Sequence, residues 1–375
     1  MRISHDFDGG NIVCRQCIDP TDIQLGIARD NQSEFYQWFY FRLTGARGLD
    51  CSIRIVGLEN SAYPPGWKDY RAVVSYDRET WFRTSTEFDG KQLTLSFTPE
   101  YDAVYFAYFA PYSMERHADL IAAAQCSPMA ELLVPGTTLD GQDLDLLRIG
   151  EQGEDRRVCW VIARQHPGET MAEWWMEGFL ERLLNPDDPV SRELLKRAVF
   201  YVVPNMNPDG SRRGHLRTNA CGANLNREWL DPSEARSPEV FAIREEMRKT
   251  GVDFCLDVHG DEDLPYNFIS GAEGIPGWNQ RQADLLSAYL ASLKQASPDF
   301  QTKHGYPVDE PGKADLSMCN NYVAETFDCL SMTLEMPFKD NANAPDLEQG
   351  WSPERCHLFG AANLEAIFEL VDRLR

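Results

Sequence analysis

Gln165-His166-Pro167-Gly168-Glu169-Thr170 joins two segments of opposite character. Before it, Val158-Cys159-Trp160-Val161-Ile162-Ala163 is a short continuous apolar run, the pattern of a strand buried on both faces. After it, Met171-Ala172-Glu173-Trp174-Trp175-Met176 opens a helical pattern. A His and a Glu three residues apart therefore occupy a strand-to-helix turn. About ninety residues on, Val252-Asp253-Phe254-Cys255-Leu256-Asp257-Val258 predicts another strand, ended by His259-Gly260. A third predicted strand, 330–335, ends on Glu335. Open α/β sheets bind ligands at the C-terminal ends of their strands, so His166, His259 and Glu335 share one site. Two His and one Glu (Glu169) form the ligand set of an open catalytic zinc centre, with the fourth position left to water.

Strands and helices alternate around that turn: 158–163, 171–184, 198–203, 239–248, 252–258, 279–294, 330–335 and 361–374. The alternation predicts an α/β domain over 116–375, with a mixed central sheet flanked by helices. Residues 1–115 read differently. Phe35–Leu43 is aromatic, Cys51–Val56 and Gln92–Phe97 alternate, and Val104–Phe109 closes the series before Pro111. Short alternating strands separated by turns predict a smaller antiparallel β-sandwich domain. Cys14-Arg15-Gln16-Cys17 is the sole chemical motif there, and in a regular strand its thiols point to opposite faces.

The chain has 375 residues, 36 basic and 59 acidic, for a net charge of −23. That balance disfavours nucleic acid and anionic membranes as partners. Residues 1–115 carry 11 basic and 16 acidic groups, so most of the excess lies in the later portion. Against it stands a basic cluster, Arg212, Arg213, Arg217 and Arg227. Met1–Asp6 lacks the apolar core of a signal peptide, and no run of eighteen apolar residues is present. Ten scattered cysteines without the spacing of a disulfide scaffold point to a reducing cytoplasm.

Four further elements accompany the ligands. Asn207-Pro208-Asp209-Gly210 follows strand 198–203, and Gly214-His215-Leu216-Arg217 comes next. Leu225-Asn226-Arg227 and Thr333-Leu334-Glu335 complete the set. With H-P-G-E at 166–169, these stand in the order and at the intervals of the zinc carboxypeptidases of the carboxypeptidase A type. The aromatic sandwich and Ala110-Pro111-Tyr112-Ser113 resemble the cytosolic carboxypeptidase branch in particular. The resemblance implies one Zn²⁺ held by His166, Glu169 and His259, with Glu335 as general base. It implies Arg217 on the oxyanion, and Asn226 and Arg227 on the terminal carboxylate of a peptide or protein tail.

Two positions depart from the family pattern. Asn224 stands where a carboxylate usually accepts the second ring N–H of the first zinc histidine. The family's mobile tyrosine has no counterpart at its usual interval, which leaves Tyr306 and Tyr322 as candidates. For the residue removed, the family prior, the arginine cluster, Lys303 and Lys313 point to glutamate; a neutral pocket shaped by Asn320 and Asn321 is the alternative. Other functions compete: an aspartoacylase-like deacylase of N-acyl amino acids, or a catalytically silent peptide-binding module. The sandwich, the complete T-L-E element and the intact ligand set favour the peptidase.

Overall fold

The computed structural model describes residues 1–375. Its first 107 residues form two five-stranded sheets that share one apolar core. In order, one contains Arg2–Ser4, Tyr40–Thr44, Ala103–Ala107, Val73–Ser75 and Phe82–Arg83; the other contains Val13–Gln16, Ile23–Gly26, Cys51–Val56, Gln92–Phe97 and Ser85–Phe88. Cys51–Val56 alternates buried and half-exposed residues, as its sequence period requires. All pairings are antiparallel except that of Ile23–Gly26 with Cys51–Val56. A bulge between Cys14 and Gln16 breaks the regular alternation expected for Cys14 and Cys17.

The aromatic run at 35–43 enters the ladder only at Tyr40. Its earlier part leaves the sheet because its polar groups are used elsewhere. Buried Gln37 accepts from the backbone N–H of Tyr63 (2.8 Å) and donates to the Tyr63 carbonyl (3.1 Å) and the Tyr108 hydroxyl (3.0 Å). Tyr63 is thereby pinned to the sandwich.

The central sheet has seven strands, ordered Ala130–Leu133, Leu146–Ile149, Ala198–Val203, Arg157–Ala163, Phe254–Asp261, Leu330–Pro337 and Phe268–Ser270. Its middle four strands are parallel and its edges antiparallel. Side chains alternate between two cores, as a strand covered on both faces demands. Cys159, Val161 and Ala163 meet the core that holds Met171–Leu183, Gln280–Ala296 and Pro353–Leu370. Trp160 and Ile162 meet the core under Pro238–Thr250 and Cys319–Phe327.

The last long helix starts at Pro353, eight residues before its expected start, because Ser352 caps it and Pro353 fits the first turn. Cys319–Phe327 and Phe268–Ser270 are elements that the sequence pattern does not announce, being short and, in the helix, interrupted by Asn320-Asn321. No helix is long and apolar enough to cross a membrane.

Candidate active site

Register builds the first half of the site. His259 and Glu335 are direct partners on the adjacent parallel strands Phe254–Asp261 and Leu330–Pro337, which places them side by side on one sheet face. The turn after Arg157–Ala163 brings His166 and Glu169 to the same place. Met171–Leu183 begins directly afterwards, so the ligand turn is fixed at both ends.

Three ligand atoms converge. His166 Nδ1 lies 2.7 Å from Glu169 Oε1, His259 Nδ1 lies 2.8 Å from Glu169 Oε2, and the two ring nitrogens are 3.2 Å apart. The opposite ring nitrogens decide what these atoms can do. His166 Nε2 donates to Asn224 Oδ1 at 3.0 Å, and His259 Nε2 to Asp257 Oδ2 at 2.9 Å. Each bond fixes the tautomer that leaves an Nδ1 lone pair aimed at the shared point. Two lone pairs and a carboxylate, all buried, call for a positive charge between them. Burial and then the Arg217 charge hold the His166 pKa down to about 4, so its ring is neutral. Burial also lowers that of His259, but Asp257 and Glu169 outweigh it and raise it well above the usual value, so a proton and a metal ion compete for its Nδ1 beside Glu169. The donor set fits a divalent cation of zinc type.

Around this point lies a pocket of about 340 Å³ whose lining includes Arg217, Asn226, Arg227, Tyr306, Thr333 and Glu335. Glu335 is buried, its Oε2 has no protein partner, and its Oε1 is 3.3 Å from the Tyr306 hydroxyl. Burial raises its pKa well above the carboxylate range; His259 opposes the shift, and Glu169 and Asp261 add to it. Arg217 NH1 stands 4.0 Å from Glu169 Oε1, and its guanidinium donates no hydrogen bond within the protein. Asn226 Oδ1 accepts from the Cys319 N–H at 2.8 Å, which leaves its NH₂ group free toward the pocket. Arg227 is partly exposed, 3.8 Å from Asp315.

His166, Glu169, His259, Arg217, Asn226, Arg227 and Glu335 therefore meet in one pocket, and of the two tyrosines only Tyr306 lines it. The Tyr306 hydroxyl donates to Asp261 Oδ2 at 2.5 Å inside the pocket. Tyr322 packs on Trp229, and its hydroxyl accepts from Arg248 outside the pocket. The basic cluster divides. Arg212 and Arg213 are exposed, with Arg213 paired to Asp140, and only Arg217 and Arg227 reach the pocket. Lys303 and Lys313 are exposed and outside its lining. Asn320 and Asn321 donate to the carbonyls of Gly271 and Asp315, so they hold loops instead of shaping the pocket.

Sequence reading missed Asp257 and Gln165. Asp257 was legible in principle: two residues before His259 in a strand, it shares that residue's face. Gln165 donates to Asp257 Oδ2 at 2.6 Å and accepts from the Trp229 indole at 2.8 Å, a link no local pattern signals. Tyr63, Glu262 and Asp263 also line the pocket unannounced.

The family described as "Cytosolic carboxypeptidase N-terminal domain" matches residues 3–109, and that described as "Zinc carboxypeptidase" matches 115–355. An uncharacterised protein of Zymomonas mobilis is 53% identical over 100% of this chain and 97% of its own length. Human cytosolic carboxypeptidase 1 is 27% identical over 72% of this chain, which spans 26% of that protein. Among solved structures, a putative carboxypeptidase A from Shewanella denitrificans is 54% identical, with a TM-score of 0.98 and 99% of each chain covered. A metallo-carboxypeptidase from Pseudomonas aeruginosa, solved with (2-guanidinoethylmercapto)succinic acid, is 46% identical, with a TM-score of 0.98 and 100% of each covered. The chain belongs to the zinc carboxypeptidase family and carries the N-terminal domain of its cytosolic branch.

Proposed function

We propose that this chain binds one zinc ion through His166, Glu169 and His259 and removes the C-terminal residue of a peptide or protein tail. The observation that carries the proposal is the meeting of the His166 and His259 Nδ1 atoms with Glu169, beside Glu335, whose Oε2 has no protein partner. Zinc, when bound, supplies Lewis acidity and lowers the pKa of the attacking water. Glu335 takes the water's proton at a carboxylate oxygen and returns it to the leaving amine. Burial raises its pKa above the carboxylate range, which makes the carboxylate a better proton acceptor. The uncommitted Arg217 guanidinium faces the oxygen on which negative charge develops. The free NH₂ of Asn226 and the Arg227 fork hold the terminal carboxylate, which sets the demand for a chain end. Tyr306 is the mobile tyrosine, its hydroxyl parked on Asp261.

Glutamate at the chain end would call for a cation beside its side chain. The pocket's cations are Arg217 and Arg227, and both already have roles; Asp261, Glu262 and Asp263, which also line it, are acids and supply no further cation. The pocket's uncharged lining includes Ser270, Met318 and Thr333, with Ser270 paired across the strands to Thr333. We therefore assign a preference for small or polar uncharged terminal residues, within a cytoplasmic protein whose ten cysteines are free thiols. Zinc analysis and a release assay on peptides ending in Ser, Gln, Glu, Lys, Leu or Phe test both levels. Equal cleavage of amidated and free peptides would refute the exopeptidase reading. A higher kcat/KM for Glu than for Gln would restore the acidic preference.

A further inference from the structure

The loop that carries Arg217 is held from the other domain. Residues 214–222 contain no helix or strand, so their backbone donors have no ladder to join. Asp30, buried in the N-terminal portion, fills that gap. Its Oδ1 accepts from the Leu216 N–H at 2.7 Å, and its Oδ2 from the N–H groups of Arg217 (2.8 Å) and Thr218 (2.9 Å). The Thr218 hydroxyl adds a fourth bond at 3.1 Å. Three consecutive amides gathered on one carboxylate form a stiff, charge-assisted clamp.

Neighbouring contacts extend the clamp. The Asn31 N–H donates to His215 Nε2 at 3.1 Å, and its side chain to the Ala220 carbonyl at 2.7 Å. Asn11 donates to the Gly214 carbonyl at 2.8 Å. Gly222 lies so close to the Gln32 carbonyl that a Cβ there would stand 2.5 Å from its oxygen. The guanidinium itself lies over two aromatic rings of the N-terminal portion, 5.6 Å from the Phe35 ring centre and 5.3 Å from that of Tyr63. On its far side the loop returns to the ligand turn, where the Leu216 carbonyl accepts from the Gly168 N–H at 2.9 Å.

We propose that Asp30 is a positioning residue for peptide hydrolysis: from the N-terminal domain it sets the place of Arg217 by binding the backbone and leaving the guanidinium free. The proposal rests on the oxyanion role assigned to Arg217 above. Asp30 touches no substrate. Its effect passes through one arginine, and small displacements of such a group are expensive in rate, with about 1 Å costing on the order of 10²-fold.

The test uses the full-length zinc-loaded enzyme, an unblocked peptide ending in Ser or Gln, and a double-mutant cycle. Asp30→Asn keeps the size but turns one acceptor into a donor. It is expected to lower kcat by about 10- to 100-fold while KM stays within about twofold and zinc content is unchanged. In an Arg217→Ala background the same substitution is expected to cost less than about twofold. Asn31→Ala, which deletes only the bond to Ala220, keeps the test decisive if Asp30→Asn does not fold. It is expected to cost about threefold alone and nothing with Arg217→Ala. Equal losses in both backgrounds, or wild-type turnover of Asp30→Asn beside a slow Arg217→Ala, would overturn the inference alone. Wild-type turnover of Arg217→Ala would overturn the assigned oxyanion role and the inference with it.

Discussion

The ligand corner and the Arg217 loop share a hydrogen bond, from the Gly168 N–H to the Leu216 carbonyl at 2.9 Å, yet are held by opposite means. The corner is local. His166 and Glu169 share one turn, and His259 extends from a strand whose register with its neighbours admits no slip without turning the side chain to the other face. Beneath it, Arg164 donates to the Pro167 carbonyl at 3.0 Å and pairs with Glu173, which also accepts from His117 and Asn205. The Arg217 loop has no such frame of its own and borrows one from Asp30, 187 residues away. Metal ligands need fixed directions, and these three lie in a strand or in a short turn bounded by a strand and a helix. A group that meets a charge arising only during reaction can ride on a loop, provided another part of the molecule holds that loop still.

The largest expected effect breaks the local corner. His166→Ala combined with His259→Ala is expected to abolish zinc binding and reduce turnover to background, read by metal analysis and peptide release. Undiminished zinc would place the metal elsewhere. Next comes Glu335→Gln, expected to keep zinc and fold while kcat falls by at least about 10²–10⁴-fold, because an amide cannot take up the water's proton. Retained turnover would move the base to another residue.

Arg217→Ala tests the borrowed half and is expected to lower kcat by about 10²–10³-fold with little change in KM. Arg227→Ala sharpens the contrast, because a group that holds the ground-state carboxylate shows itself in KM. KM for free peptides is expected to rise, and the discrimination against amidated ones to fade. If the two variants showed the same kinetic signature, their separate roles would be refuted.

Two smaller effects probe the supports of the corner. Asn224→Asp gives the His166 ring N–H a charged acceptor, and zinc affinity measured by chelator competition is expected to rise about tenfold. No change would mean that the amide oxygen already suffices. The second effect is on stability. Burial alone would lower the pKa of His117, but hydrogen bonds to Asp145 and Glu173 outweigh it and raise it to about 9 from 6.5. A group whose folded pKa is raised contributes stability in full below its unfolded pKa and loses it as pH climbs through the folded value. The protein is therefore expected to lose at most about 3 kcal/mol between pH 6.5 and 9, and His117→Gln to flatten that slope in denaturant titrations. An unchanged slope would show that His117 carries no proton in this range.

Much of the corner was legible in the chain because its information is short-range. An apolar run, a turn with His and Glu three apart, and a second run ending on His259 need only local rules of burial and period, and the ordered motifs supplied the roles. The strands 198–203, 51–56 and 92–97 fall where the pattern places them, for the same reason. The partners of the pocket were another matter. Choosing Tyr306 over Tyr322, excluding Lys303 and Lys313, and bringing Asp30, Phe35 and Tyr63 onto Arg217 depend on how separate segments meet in space. Nothing in the residues around 30 or 306 signals those meetings. Hydrogen-bond satisfaction and packing between separate segments decide them, across 45 residues for Tyr306 and Asp261 and 187 for Arg217 and Asp30, and those exist only in the folded molecule.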